Sequence, residues 1–153
     1  MDLIKKSCAL TGHRTLGDDF DKSALKNKIL ELVKEQNVGV FYCGMAKGFD
    51  TIACEILADI KDSYNVKIIA CIPCPEQDKY FSEKDKKKYE ILLDKCDEIK
   101  VVSDHYFKGC MQVRNKFMVD RCDVVLGYVK EQKGGTIFTV KYALKMGKNV
   151  ILL

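Results

Sequence analysis

Proline is scarce in this chain, with 2 residues in 153, and histidine is equally scarce with 2. Set beside 10 glycines and a charged fraction of 31%, that scarcity excludes a proline-rich or low-complexity segment and argues against disorder. The opening residues, Met1 to Ser7, lead into an apolar stretch of only a few residues before Thr11-Gly12. That stretch is too short for a signal-peptide core or a membrane span, so the expected location is cytoplasmic and no membrane is expected as a partner. A length of 153 residues is near the size of one domain and is enough to bury a sheet between two layers of helices. The expectation is a single domain over residues 1–153.

Eight cysteines stand out against these absences. Cys8, Cys43, Cys54, Cys71 and Cys122 fall inside apolar runs that read as core strands or a core helix face, where a free thiol behaves as a small buried hydrophobe. Cys71-Ile72-Pro73-Cys74 has the spacing of a redox pair or of half a zinc site. There is no second such pair, and His13 and His105 lie in separate segments, whereas a structural zinc site needs about four ligands. No metal is expected, and the role of Cys71 and Cys74 is left open.

A net charge of +4 is mild, and Lys84-Asp85-Lys86-Lys87-Lys88 reads as a solvated helix face. A dedicated nucleic-acid binder concentrates its cations in a stripe with interleaved aromatics, so nucleic acid is not an expected partner.

Short apolar runs alternate with amphipathic segments from one end to the other. Strands are expected at Cys8-Ala9-Leu10, Val38 to Cys43, Val66 to Ile72, Ile99 to Val102, Asp123 to Tyr128 and Val150 to Leu153. Helices are expected from about Asp21 to Gln36, along the run Ile52, Ala53, Ile56, Leu57 and Ile60, from Ser82 as N-cap to Leu93, from Met111 to Asp120 and from Thr136 to Met146. Strands separated by helices call for right-handed crossovers. The fold class is therefore α/β, a Rossmann-like three-layer sandwich on a mostly parallel sheet of roughly six strands. Ligands of such sheets bind beyond the carboxyl ends of the strands.

Three glycine-containing loops follow strands and could open on that edge. In Thr11-Gly12-His13-Arg14, Gly12 allows close backbone approach, Thr11 offers a hydroxyl and Arg14 a forked cation; the alternative is a tight turn with an exposed arginine. Gly44-Met45-Ala46-Lys47-Gly48-Phe49-Asp50 leads into a helix whose free N–H groups would face an anion. Asp50 either caps that helix or accepts from a ribose hydroxyl, and Glu55, too deep in the helix to cap it, would brace the loops from behind. Gly134-Gly135-Thr136 repeats the device at the last helix. Arg114 is the cation of its helix best placed to meet a ligand, the alternative being a pair with Asp120 or Asp123, while Met118 one turn on reads as core. Gln77, Tyr80, Ser103, Tyr106 and Tyr128 are candidates for contacts to a base.

The ordered motifs TGHR, GMAKGFDTIACE, MQVRNKFMVDRCD and GGT resemble the SLOG superfamily, and its YpsA-like branch above all, from Cys8 to Leu153. That superfamily also holds the DNA-processing protein DprA and the LOG enzymes, which cleave nucleoside monophosphates to base and ribose phosphate; some members sense ADP-ribose derivatives in phage defence. The resemblance implies a Rossmann-like sheet and a nucleotide-derived ligand, with no required cofactor, and leaves a homodimer open. It implies ligand or phosphate contacts at Thr11, Gly12, His13, Arg14, Gly44, Met45, Ala46, Gly48, Asp50, Arg114, Gly134, Gly135 and Thr136. Arg114 matches the arginine of the LOG pattern, but Thr139 stands where the LOG glutamate would fall, in a loop shorter by one residue and with Lys133 in place of a proline. N-glycosidic cleavage needs a carboxylate to support an oxocarbenium-like centre and activate water, for which Asp50, Glu55 and Asp120 are the substitutes on hand.

The expected function is accordingly binding of a phosphorylated nucleotide or an ADP-ribose-like nucleotide-sugar, as a sensor or regulatory module. The alternatives are a LOG-like phosphoribohydrolase and, last, DprA-like binding of single-stranded DNA.

Overall fold

A computed structural model describes residues 4–130 and 133–153. The start at Met1 to Leu3, used above in the targeting argument, lies outside the described residues. The element order is β1 (Lys6–Gly12), α1 (Lys22–Glu35), β2 (Val38–Cys43), α2 (Phe49–Tyr64), β3 (Lys67–Ile72), α3 (Glu83–Lys95), β4 (Glu98–Val101), α4 (Cys110–Asp120), β5 (Val124–Tyr128), α5 (Gly135–Lys145) and β6 (Asn149–Leu152). All five strand pairings are parallel and the order across the sheet is β4-β3-β2-β1-β5-β6. The sheet is thus wholly parallel, a Rossmann-like α/β arrangement in which every return is made through a helix.

Local signals start and stop the helices as the residue types require. The Asp21 carboxylate accepts from the Ser23 N–H at 2.9 Å, and the Ser82 hydroxyl accepts from the Asp85 N–H at 3.1 Å, satisfying N–H groups that a helix start leaves open. Asn37 and Asn65, just past α1 and α2, take left-handed φ values of 58° and 52°, an exit that asparagine tolerates better than most residues.

Two layers of core flank the sheet, and the alternation along β1 shows how. Cys8 and Leu10 point to the side where α1, α2 and α3 supply Leu25, Ile29, Leu57, Tyr89 and Leu92, while Ala9 points to the side where α4 and α5 supply Met118, Val119 and Ala143. The strands buried on both faces are the apolar, β-branched ones, β3 and β5 among them. All eight cysteines are free, and the five assigned to apolar runs are buried. Burial pushes the Cys71 thiol up to about 12 and the Cys122 thiol up to about 11, as expected for thiols that pack. Among the described residues no helix is long and apolar enough to cross a membrane.

Candidate functional site

Every strand ends at the same edge of a parallel sheet, so the loops after β1, β2, β3, β4 and β5 gather there. The chain reverses direction at β1, which has β2 on one side and β5 on the other. The loop after β1 is welded to the loop after β2. Phe49 N–H donates to the His13 carbonyl at 3.1 Å, and Gly48 lies so close that a Cβ there would stand 2.2 Å from the Arg14 carbonyl oxygen. Gly48 is also the N-cap of α2, with φ of 78° and no side-chain cap. Asp50 therefore does not cap α2: it sits in the first turn, and its Oδ2 accepts from the Ala46 N–H at 3.2 Å, holding the loop from within.

Behind this loop Arg114 is 4% exposed. It arrives on α4 and spends its guanidinium on the ends of two strands: Nη1 donates to the Gly44 carbonyl at 2.5 Å and to the Cys71 carbonyl at 3.0 Å, while Nε donates to the Asn115 side chain at 2.8 Å. Gln77 Nε2 donates to the same Gly44 oxygen at 3.0 Å, and Tyr89 donates to Gln77 in turn. Neither Asp120 nor Asp123 pairs with Arg114; Asp120 accepts from Tyr142 and Asp123 from the Ser7 N–H. Asp50 is the charge that answers it. Burial pushes the Asp50 carboxyl up to about 6, against the pull of Arg114, the Ala46 N–H and Arg14. Burial likewise lowers the Arg114 guanidinium from its ordinary value, opposed first by Asp50.

Beside this braced loop, reached through Ala46 and Gln77 but not lined by Gly44, Asp50 or Arg114, opens a cleft of about 620 Å³, within the usual range of small-molecule sites. Arg14, Ala46 and Lys47 form one wall, Cys74, Gln77, Lys79, Tyr80 and Phe81 from the β3–α3 loop a second, and Tyr106, Phe107 and the start of α4 at Gly109, Cys110 and Met111 the third. Tyr80 is 87% exposed, with Lys79 Nζ 5.5 Å from its ring centre, and Tyr106 is 62% exposed, so both rings have faces that can meet a planar group. The start of α4, like that of α2, has a glycine N-cap and no side-chain cap. Tyr128 is not on the cleft: it is buried, lies parallel to Phe49 and donates to Asp19 at 3.0 Å. Ser103 is not among the cleft walls either.

The remaining candidates are spread along the same edge or away from it. Gly12 lies against the Phe49 ring, Met45 turns its side chain into the core, and Thr11 is buried. His13 reaches toward the loop after β5, where its Nε2 accepts from the Lys130 N–H at 2.8 Å. Gly134 and Gly135 are exposed at the start of α5 and do not line the cleft, and Thr136 is buried. Thr139 is 1% exposed and its hydroxyl donates to the Gly135 carbonyl, so the position of the LOG glutamate is turned into its own helix. Glu55 pairs with Lys88 at 3.5 Å in the groove between α2 and α3. Asp120 ends α4, at the opposite edge of the sheet from the α4 start that lines the cleft. Among the described residues no group of three or more potential metal ligands gathers. Sequence reasoning passed over Lys79, Phe81, Phe107 and the start of α4; the signal available for the last was Gly109 directly before a helix.

Residues 19–150 match the family model described as YspA SLOG family (YpsA). The chain is 30% identical over 138 residues to the uncharacterized SPbeta prophage-derived protein YoqJ of Bacillus subtilis, covering 79% of this chain and 81% of that one. It is 26% identical over 127 residues to a UPF0398 protein of Halalkalibacterium halodurans, covering 81% and 67%. Among solved structures, it resembles DNA processing protein A from Streptococcus pneumoniae with a TM-score of 0.71 at 20% identity, and the Helicobacter pylori protein of the same name with 0.69 at 22%. The match takes in 97% and 96% of this chain but only 50% and 64% of theirs, and at such identity it speaks for the fold alone. The Helicobacter protein is described as binding single-stranded DNA.

Proposed function

The chain belongs to the YpsA SLOG family, and from that membership together with the composition of the cleft we propose that it binds a phosphorylated nucleotide or nucleotide-sugar, an ADP-ribose-like ligand, as a sensor or regulatory module. One observation carries this reading: Arg14, Lys47 and Lys79 line, beside a single carboxylate, Glu76, a cleft that also holds the exposed rings of Tyr80 and Tyr106. Among the described residues only Lys47 of these three cations has an ion-pair partner, Asp85 at 3.6 Å. Cations and the uncapped helix start at Gly109, which lines the cleft, suit phosphate oxygens. Aromatic faces suit a base. A ligand with both parts uses the whole cleft, and a neutral sugar or a free base uses only part of it.

Calorimetric titration with ADP-ribose, NAD and nucleoside monophosphates, each beside its unphosphorylated nucleoside, tests the proposal. Binding by phosphorylated ligands alone, weakened in Lys47→Ala and Lys79→Ala, is the expected result. No heat with any phosphorylated ligand overturns it.

A second reading, N-glycosidic hydrolysis, is favoured by the placing of Asp50, whose carboxylate does not line the cleft but accepts from the N–H of the cleft residue Ala46, and which burial pushes up to about 6. A carboxyl poised near neutrality is suited to exchanging a proton with water or a leaving group. Chromatography for free base after incubation with nucleoside monophosphates decides it. Base that appears with the parent chain and not with Asp50→Asn supports hydrolysis, and its absence leaves binding alone.

A further inference from the structure

We propose that Cys74 and Cys110 form a reversible disulfide site in the wall of the cleft, closed by hydrogen peroxide and opened by a thiol reductant. The site is independent of the ligand that fills the cleft. The spacing Cys71-Ile72-Pro73-Cys74 pairs two cysteines along the chain, but the fold parts them. Cys71 lies on β3 and packs with Met118, Val119 and Cys122 in the core on the α4 and α5 side. Cys74 comes after the strand has ended, between Pro73 and Pro75, whose rings fix the backbone on either side of it. There it lines the cleft, and its thiol shares a hydrogen bond with the thiol of Cys110. Cys110 is the first residue of α4 and lines the cleft as well.

Two features single out this pair among the eight free cysteines. The first is charge. A thiolate is the attacking form and is favoured among cations, and Arg14, Lys47 and Lys79 line the same cleft beside one carboxylate, Glu76. Cys43, Cys54 and Cys96 also meet, but away from the cleft, and the hydrogen bonds among them together with burial push the Cys54 and Cys96 thiols far up. The second is access. Cys74 and Cys110 are 1% and 0% exposed, which shuts out bulky reagents, yet residues 73–81, which carry Cys74, are all turns and bends at the wall of an open cleft. A peroxide is little larger than water and passes through small local openings of such a segment. Burial raises the Cys74 thiol, so Cys110 is the sulfur that attacks first. It takes one peroxide oxygen, the O–O bond breaks, and the departing hydroxide leaves with the Cys110 proton as water. The Cys74 sulfur then attacks the Cys110 sulfenic acid at sulfur; the S–O bond breaks and the hydroxyl leaves with the Cys74 proton as a second water. Two thiols have lost two electrons and one peroxide has gained them. The new bond ties the β3–α3 loop, which carries Tyr80, to the start of α4, just after Tyr106, and so fixes two walls of the cleft against each other.

Treatment of the reduced, folded chain with hydrogen peroxide tests this, followed by denaturation with an alkylating reagent, proteolysis without reductant and mass spectrometry. The expected product has lost two hydrogens and yields one linked pair of peptides, joining Cys74 to Cys110, which dithiothreitol separates. In Cys74→Ser the second step has no partner, so dimedone added with the denaturant is expected to trap a sulfenic acid at Cys110. A parent chain that forms no internal disulfide overturns the proposal. So does a bond from Cys71 to Cys74, the pair that spacing alone suggests, or one from Cys54 to Cys96. A dimedone label carried by other cysteines and not by Cys110 overturns it too.

Discussion

Arg114 and Asp50 flank the same side of Gly44, and each occupies space that a Cβ on that glycine would claim: 2.8 Å from Arg114 Cζ and Nη1, and 3.0 Å from Asp50 Oδ2. The glycine of the second loop therefore leaves room for the two buried side chains behind it, which a methyl group there would have to displace. Gly44→Ala is expected to push the guanidinium off the Gly44 and Cys71 carbonyls. Overpacking of this kind costs about 1 to 3 kcal/mol, which urea denaturation of the variant against the parent will read. An unchanged midpoint would mean that Arg114 has room to withdraw.

Asp50 ties stability to pH with a definite sign. Its carboxyl stands at 3.8 when unfolded and at about 6 in the folded chain, so between these values the folded state holds the proton more tightly. Stability from this group is fully present below about pH 4 and is lost as the pH rises through about 6, a change of about 3 kcal/mol by the linkage of proton binding to folding. Other carboxylates titrate in the same window, so the informative quantity is the parent minus Asp50→Asn. That difference should fall between pH 4 and 6 and be flat above pH 7; a flat difference throughout would place the Asp50 carboxyl near its ordinary value.

Arg114→Met isolates the other half of the pair. Arg114 lowers the Asp50 carboxyl against the effect of burial, so without it the carboxyl should titrate above about 6. Removing the guanidinium takes a charged donor from the Gly44 and Cys71 carbonyls, a cost of about 1.5 to 3 kcal/mol per bond, and the loss should be greatest at alkaline pH, where Asp50 is charged without the nearby cation. Carboxyl carbon chemical shifts followed by NMR over pH 4 to 9 will report the titration directly. A carboxyl unmoved by the substitution would show that burial alone sets its value.

Much of this arrangement was legible in the chain itself, and the part that was not has a physical cause. Period-two apolar runs and period-3.6 faces are local, so the strand and helix sequence, the caps at Asp21 and Ser82 and the left-handed exit at Asn37 all emerged from nearest neighbours. Arg114 was recognisable as important, but its partners Gly44 and Cys71 lie 70 and 43 residues away, and only the sheet order makes them neighbours. The same is true of the cleft. Glycine patterns drew attention to Gly134 and Gly135, whereas the third wall is built from Tyr106 to Met111, because β4 lies beside β3 and carries its following loop over the ends of β2 and β3. Asp50 could cap a helix by residue type; that Gly48 takes the cap depends on the close approach of the loop after β1.

That approach supports the last prediction. Gly48 holds φ at 78° with ψ at −120°, a region open chiefly to glycine that costs a residue with a side chain about 1 to 3 kcal/mol, and its added Cβ would lie 2.2 Å from the Arg14 carbonyl oxygen and 2.7 Å from the His13 carbonyl oxygen. Both are backbone atoms, so no side-chain rotation can relieve the contact, unlike the clash at Gly44. Gly48→Ala must then separate the loops after β1 and β2, breaking the bond from Phe49 N–H to His13 and moving Arg14 relative to Lys47 across the cleft wall. The expected outcome is a chain that retains its helices by far-ultraviolet circular dichroism, unfolds at lower urea, and binds phosphorylated nucleotides more weakly than its lost stability alone would explain. Titration calorimetry at a temperature where the variant is fully folded separates the two effects. Unchanged affinity there would show that Arg14 and Lys47 need not be held in register for the cleft to take its ligand.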